Sequence, residues 1–264
     1  MQDPISDEQA ACEATAPELT IEGPIATIRF RKPRFSNRLS PDDLATLRDH
    51  IATVNAQSDV LVLRFRGEGK YFCSGYDISS LAAEDAPSSI VFGHTIDLIE
   101  SARPVTIAAI HGGAYGGGTD LSLACDFRIG SPEANMFMPA AKLGLSFYPG
   151  GMSRYITRLG LNEAKRLFLL AEKIESEEML RIGFLTELVP SDRLYARVDE
   201  LSATLAGMAP IALLGIKKQL NLIVRGQIDI EEIEREVLRS EASRDIAEGA
   251  LAWKEKRAPV FTGD

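Results

Sequence analysis

The chain has 264 residues, of which 45% are hydrophobic, and this supports one domain with a sizeable core. Its formal net charge of -9 disfavours nucleic-acid binding, because contacts with phosphates need a basic face. Three cysteines without metal-ligand spacing favour neither a zinc site nor a disulfide framework, and no signal-like or membrane-spanning apolar segment is present. We therefore expect a cytoplasmic protein that binds no metal, membrane or nucleic acid.

The N-terminal part begins with a small, acidic segment, residues 1–17, which we predict to be a flexible extension. Residues 19–30 alternate between apolar and polar and are broken by a Gly-Pro pair, which predicts a β-hairpin. Ser40 is a suitable helix cap and Pro41 suits a first helical turn. The apolar spacing that follows predicts a helix to about residue 57.

The middle of the chain alternates between strand and helix patterns. Residues 60–67 form a dense aliphatic run typical of a buried strand, and 91–102 have the spacing of a helix. A second buried strand is predicted over 104–113, a helix over 117–124, and a third strand over 126–129. This order predicts an α/β fold with parallel strands.

The C-terminal part, from about residue 162, is predicted to be nearly all helical, with one short extended interruption at 185–190. Its helices carry apolar stripes that suit packing against the core or against another subunit.

Two loops contain the residues with chemical interest. Residues 71–78 follow the first buried strand, and 111–120 follow the second and contain three consecutive glycines. Glycines allow a close backbone approach, and the free N–H groups at a helix start suit a developing negative oxygen. A tight packing turn or a phosphate loop are the alternatives, but neither a Walker pattern nor G-x-G-x-x-G is present.

Taken together, the two loops resemble those of the crotonase (enoyl-CoA hydratase/isomerase) family. FCSGYDI (72–78) is similar to its first oxyanion loop, and IHGGAYGGGTDLSLACD (110–126) is similar to its second loop and following helix. They occur in the order and at the separation typical of the family. Further segments that resemble family motifs are 33–39, 143–160 and 250–263.

The resemblance implies a fold and an assembly. The fold is a crotonase-like spiral of repeated β-β-α units, expected over residues 18–200, followed by a C-terminal helical trimerisation region over 201–264. Homotrimers, or hexamers that are dimers of trimers, are the implied assemblies. The implied substrate is an acyl-CoA, with coenzyme A as part of the substrate and no further cofactor.

The resemblance also assigns catalytic positions. The backbone N–H groups of Tyr76 and Gly117 are the expected oxyanion donors, and Asp120 takes the place of the first catalytic glutamate. The second glutamate position is occupied by Ala140, which cannot transfer a proton. Loss of a general acid or base typically costs about 100- to 10000-fold in rate, so hydration in the usual manner is disfavoured. Tyr148 is the remaining polar candidate for protonating an enolate, unless it packs against a neighbouring subunit.

The remaining contacts with the substrate are expected from both loops, the early 33–39 segment and the C-terminal helix. The predicted binding residues are Arg34, Ser74, Gly75, Asp77, Ile78, Gly116, Trp253 and Lys256. Taken singly, Arg34 and Lys256 are more typical of solvated surface groups, and Trp253 is more typical of a surface or core residue, than of a CoA contact.

Three functions are compatible with these residues. The first is an enoyl-CoA hydratase/isomerase-like enzyme that stabilises a thioester enolate. The second is a divergent family reaction, namely decarboxylation, isomerisation or thioester hydrolysis. The third is a catalytically silent acyl-CoA-binding protein.

Overall fold

The computed structural model describes residues 16–77 and 88–264, which form ten strands and ten α-helices. The strands are β1 (Glu18–Glu22), β2 (Ile25–Phe30), β3 (Val62–Gly67), β4 (Tyr71–Cys73), β5 (Val105–Ile110), β6 (Gly113–Tyr115), β7 (Phe127–Gly130), β8 (Asn135–Phe137), β9 (Lys173–Glu175) and β10 (Glu187–Leu188). The helices are α1 (Pro41–Ala56), α2 (Ser89–Glu100), α3 (Gly117–Ala124), α4 (Pro149–Leu159), α5 (Leu161–Leu170), α6 (Ser176–Arg181), α7 (Leu194–Ala206), α8 (Pro210–Val224), α9 (Ile230–Glu241) and α10 (Arg244–Glu255).

The larger sheet has six strands in the order β1-β2-β3-β5-β7-β10. The predicted hairpin is confirmed, because β1 and β2 pair antiparallel with Thr20 opposite Thr27. Every other neighbouring pair in this sheet is parallel. Strand β5 is buried along its whole length, as the continuous apolar run in its sequence predicted.

The smaller sheet has four short strands in the order β4-β6-β8-β9. Successive strand pairs β3/β4, β5/β6 and β7/β8 each place one strand in the larger sheet and the next in the smaller one. A helix follows each of the first two pairs, so the chain repeats β-β-α units, and the α/β, crotonase-like fold class is confirmed.

The buried strand predicted over 104–113 is confirmed over Val105–Ile110, but its continuation to residue 113 is wrong. The chain leaves the larger sheet after Ile110 and enters the smaller one at Gly113. At the crossing, a Cβ on Gly112 would lie closer than 3.0 Å to the carbonyl oxygen of Lys70. A glycine permits this close backbone approach, and the crossing splits the strand.

The helix after Ser40 is confirmed, and a reciprocal capping box holds its first turn. The Ser40 hydroxyl accepts from the Asp43 N–H, and the Asp43 carboxylate accepts from the Ser40 N–H at 2.8 Å. The predicted C-terminal layer needs a correction, because strand β9 also interrupts it. Its three residues, Lys173–Glu175, pair antiparallel with β8 and are too few to show a sequence period.

The hydrophobic core consists of two clusters on the larger sheet. One includes side chains from α1, α2, α3 and both sheets, and the other lies between the larger sheet and α7. Within the described ranges, no single helix is long and apolar enough to cross a membrane. Two consecutive helical segments of the described ranges, Ser191–Ala206 and Pro210–Val224, reach the required length and hydropathy only when they are combined, and the chain bends by 108° between them.

Two predictions fall outside the part of the chain that the structure describes. They are the flexibility predicted for the N-terminal segment 1–17, as far as residue 15, and the substrate contact assigned to Ile78. The division into a core over 18–200 and a helical region over 201–264 stays a prediction.

Asn37 joins the 33–39 segment to the loop between β3 and β4. Its side-chain oxygen accepts from the Lys32 N–H at 2.9 Å, and its amide donates to the carbonyls of Glu68 and Tyr71 at 2.9 and 2.7 Å. The residue is buried and has a φ of 54°. Asparagine tolerates this left-handed conformation better than most residues do.

Replacing Asn37 with alanine should lower the free energy of unfolding by about 2–4 kcal/mol, because buried polar groups lose their partners. Urea denaturation measures this change. Asn162→Ala is the control, since Asn162 is exposed in the first turn of α5, and its effect should stay within about 0.5 kcal/mol. Equal midpoints for the two variants would contradict the assignment.

Candidate active site

The two glycine-containing loops meet in the structure. Gly75 has a φ of 85°, and a Cβ there would lie closer than 3.0 Å to the backbone nitrogens of both Gly117 and Gly118. On the other side, a Cβ on Gly118 would collide with the carbonyl of Cys73. Only glycine, which has no Cβ, allows the two backbones to approach this closely.

The first loop is held by the 33–39 segment in a short parallel pairing. The Leu39 N–H donates to the Gly75 carbonyl at 2.8 Å, and the Asp77 N–H donates to the Leu39 carbonyl at 2.9 Å. Successive peptide groups of an extended chain point in opposite directions. The N–H of Tyr76 therefore points away from Leu39, on the side opposite to this pairing.

The second loop leads directly into helix α3. Gly116 has a φ of 51°, its N–H donates to the Phe137 carbonyl at 2.8 Å, and its carbonyl accepts from the Thr119 N–H at 3.1 Å. Gly117 is the first residue of α3, so its N–H has no intrahelical acceptor, and it has none among the other described residues. The positive end of the helix dipole lies at this N–H.

One cavity of about 370 Å³ adjoins both loops. The site residues predicted from sequence that line it are Ser74, Tyr76, Asp77, Gly116, Gly117 and Tyr148. The charged residues on its described wall are Arg38 and Asp77, which form an ion pair at 3.2 Å. The rest of the described wall includes Phe92, Phe137, Met138, Leu143, Leu145 and Phe147. A mostly apolar cavity with a few polar groups is typical of small-molecule sites.

Ala140 lies on this wall and begins a short 3-10 helix, Ala140–Leu143. The residue is buried, and its side chain is a methyl group, which brings no polar atom to the cavity wall. No proton donor or acceptor therefore stands at the position where the two-carboxylate relatives are expected to have a glutamate.

Asp120 is fully buried in helix α3 and does not belong to the cavity wall. Both of its oxygens accept from the Arg154 guanidinium, Oδ1 from Nε at 2.8 Å and Oδ2 from Nη2 at 2.7 Å. Such a bidentate pair fixes the carboxylate in place. Asp120 therefore reaches the cavity only through Tyr148, whose hydroxyl donates to Oδ2 at 2.7 Å.

Tyr148 lies on the cavity wall, and its hydroxyl points to the buried Asp120. The ring stacks on Phe147 at a centroid distance of 4.2 Å and lies 6.1 Å from Phe92. Burial, followed by the charge of Asp120 and the hydrogen bond to it, raises the pKa of Tyr148 well above the ordinary value, and Arg154 opposes this shift. The phenol is therefore neutral at neutral pH.

Three predicted CoA contacts do not lie on this cavity wall. Arg34 is exposed in the short 3-10 helix Pro33–Phe35, Trp253 is 88% exposed in α10, and Lys256 is exposed beyond the end of that helix. Their roles stay predictions.

Sequence reasoning missed Arg154, Phe92 and Arg38. Arg154 lies in the 143–160 segment that resembles a family motif. Its helix contains both polar and apolar residues, so the sequence did not indicate that this arginine is buried. A Cβ on Gly150, four residues before it, would collide with the Asp97 carboxylate. Two adjacent glycines at a helix start were the available signal that another element packs closely there.

The model of the enoyl-CoA hydratase/isomerase family matches residues 20–264. The chain belongs to this family. The crotonase resemblance is thereby confirmed, as is the expectation of an enzyme of this superfamily that processes acyl-CoA.

Characterised and solved relatives agree with this assignment. The chain is 31% identical to a crotonyl-CoA hydratase of Syntrophomonas wolfei over 91% of this chain and 95% of that protein. It is 29% identical to a carnitinyl-CoA dehydratase of Salmonella typhi over 93% and 97% of the two chains. An enoyl-CoA hydratase/carnithine racemase structure from Magnetospirillum magneticum superposes with a TM-score of 0.88 at 25% identity, covering 94% and 96%.

Tyr148 should remain protonated at pH values above the ordinary tyrosine pKa of about 10, because burial and the Asp120 charge raise its pKa. Because its folded-state pKa is raised, its contribution to stability is complete below the unfolded-state pKa and declines as the pH rises above it. Absorbance titration at the tyrosinate band, wild type minus Tyr148→Phe, isolates this group. The urea-unfolded chain, in which all six tyrosines should titrate together, is the control. A Tyr148 signal at or below pH 10 would refute the buried pairing.

Proposed function

We propose that the chain binds an acyl-CoA thioester and stabilises its enolate with the N–H groups of Tyr76 and Gly117. The observation that carries this proposal is the packing of Gly75 on the Gly117 backbone, which places both loops on one cavity. Charge that develops on a carbonyl oxygen is stabilised best by fixed donors, because they need no reorganisation during the reaction. The Gly117 N–H lies at a helix start, which adds to the positive potential.

The reaction should be one that needs no carboxylate base at the α- or β-carbon. Ala140 presents only a methyl group, and Asp120 is held by Arg154 behind Tyr148. The remaining carboxylate of the described wall, Asp77, is paired with Arg38. This arrangement argues against water addition by the two-carboxylate mechanism.

Decarboxylation of a 2-carboxyacyl thioester is the second candidate, and the same arrangement favours it. Cleavage of the bond between the α-carbon and the carboxylate releases CO₂ and leaves its electron pair as the enolate, so no base is needed. The enolate then takes one proton at the α-carbon. Tyr148, one of several residues with a hydroxyl on the described wall, would supply this proton, and water would return it.

The exposed apolar side chains of the C-terminal helices favour an assembly in which chains share CoA contacts. Trp253 is 88% exposed, and large apolar side chains of α8, α9 and α10 are also exposed, including Leu220, Ile230, Leu238 and Leu251. Large exposed apolar surfaces commonly mark association sites. We propose a homotrimer, or a hexamer of two trimers, in the cytoplasm, with CoA as part of the substrate and no further cofactor.

Incubation with a panel of CoA thioesters in D₂O tests the proposal directly. We expect a 2-carboxyacyl-CoA such as malonyl-CoA to lose CO₂ and yield a product with one deuterium at the α-carbon, read by mass spectrometry. Gly75→Ala should reduce the rate by about 100- to 1000-fold, the usual effect of losing an oxyanion donor.

Gly23→Ala is the matched control for this substitution. Gly23 also has a positive φ, of 57°, but lies in open space in the β1–β2 turn, so the rate should stay within about twofold. Equal losses in the two variants would contradict the site. Absence of α-deuterium and of product from every thioester would contradict the enzymatic proposal and favour a silent acyl-CoA-binding protein.

Hydration of crotonyl-CoA should be at least about 100-fold slower than by a two-carboxylate relative, because the wall lacks the necessary pair. The crotonyl-CoA hydratase of Syntrophomonas wolfei serves as the reference enzyme. Ala140→Glu should increase the hydration rate of this chain, since it adds a carboxylate to the cavity. A wild-type rate equal to that of the reference would overturn this conclusion.

A further inference from the structure

A charge network lies behind the cavity, between helices α2, α3 and α4 and the C-terminal end of α8. It contains three cations and three anions, so its formal charges balance. Its members are Arg154, Arg158, Arg225, Asp97, Glu100 and Asp120.

Arg154 is the centre of this network and is almost completely buried. Besides its two contacts with Asp120, its Nη1 donates to Asp97 at 2.6 Å and to Glu100 at 3.0 Å. Its partners hold the guanidinium on three sides, so its position relative to Asp120 is fixed. In turn, Asp120 holds the hydroxyl of Tyr148.

The other two arginines contact a different carboxylate. Arg158 donates to Glu100 at 2.6 Å, and Arg225 also contacts Glu100. Among the arginines of the described ranges, Arg154 is the one that pairs with Asp120. The network therefore contains two kinds of contact. The Arg154–Asp120 pair leads to Tyr148, whereas the pairs with Glu100 hold helices together.

We propose that Arg154 is a positioning residue for Tyr148, acting through Asp120: it fixes the hydroxyl beside the substrate and balances the charge left when that hydroxyl releases a proton. This inference rests on the proposed function, in which Tyr148 protonates the enolate. It assigns the Asp120–Arg154 pair to support of Tyr148, and it places no proton transfer on Asp120 itself.

The groups that surround the phenol determine the cost of removing its proton. Transfer of the Tyr148 proton to the α-carbon leaves a phenolate next to the Asp120 carboxylate, and two neighbouring buried anions repel each other strongly. The Arg154 cation lies against that carboxylate and lowers the repulsion. The other group that faces Tyr148 is Tyr155, which is neutral because burial raises its pKa, and its hydroxyl pairs with Thr119.

Steady-state kinetics on the thioester identified in D₂O provide the first test. Arg154→Met should lower kcat by about 10- to 100-fold with KM within about threefold, since it removes support for a proton-transfer group but no contact with the substrate. Arg158→Met is the matched control, because it removes an arginine from the same network without touching Asp120. Both parameters of the control should stay within about threefold of wild type.

The Tyr148→Phe background distinguishes positioning from general stabilisation. If Arg154 acts through Tyr148, adding Arg154→Met to Tyr148→Phe should reduce kcat by less than about twofold more. An equal loss in both backgrounds would overturn the proposal. Arg154→Lys, which retains the charge, should recover part of the rate.

Tyrosinate absorbance provides a test that needs no turnover and compares variants with and without Arg154. Asp120→Asn removes the anion beside Tyr148 but keeps the cation, so Tyr148 should ionise at a lower pH than in wild type. The double variant Asp120→Asn/Arg154→Met removes both charges and should shift the ionisation back upwards. Because both charges of the Asp120–Arg154 pair are removed together, neither is left buried without its partner. The double variant should therefore fold even if Arg154→Met alone is unstable.

The two readouts separate the two possible failures. Equal ionisation of Tyr148 in Asp120→Asn and in the double variant would overturn the role of Arg154, whatever the activity. If no thioester is turned over but the absorbance shifts appear as expected, the proposed function fails, while the support of Tyr148 by Arg154 stands.

Discussion

The close approach of two backbones, at Gly75 and Gly117, is the constraint on which the site depends. A side chain larger than hydrogen at Gly75 would overlap the nitrogens of Gly117 and Gly118. The approach fixes the start of helix α3 against the first loop, and the pairing of Leu39 with that loop fixes it from the other side. Gly75 and Gly117 follow β4 and β6, which are neighbouring parallel strands of the smaller sheet, so the rigid part of the fold determines where the two loops meet.

The charges behind the site explain why family membership alone does not define the reaction. A carboxylate at the position of Asp120 suggests acid–base chemistry, but a bidentate arginine contact commits both of its oxygens. Ala140 removes the other carboxylate. In the mechanism that we propose, the oxyanion donors therefore act together with a neutral phenol, which suits the protonation of an enolate formed without a base.

Patterns of local origin were predictable from the sequence. The β1–β2 hairpin, helix α1 with its Ser40 cap, and the buried strands around 60–67 and 104–110 depend on residues close together in the chain. The smaller sheet was not predictable in this way, because strands of three residues such as β6 and β9 show no period and form only by pairing with distant segments. Likewise, Asp120 and Tyr148 were found as residues, but the arginine that determines their state lies 34 positions beyond Asp120 in the chain. Its contact depends on helix packing.

We propose that two main-chain amides, those of Tyr76 and Gly117, polarise one thioester carbonyl. Isotope-edited infrared difference spectroscopy of a bound acyl-CoA, labelled with carbon-13 at that carbonyl, measures this polarisation directly. We predict that the carbonyl stretch has a lower frequency in the bound thioester than in water, because fixed donors weaken the C=O bond. A stretch at higher frequency than in water would show an apolar environment without donors and would contradict the proposed oxyanion site.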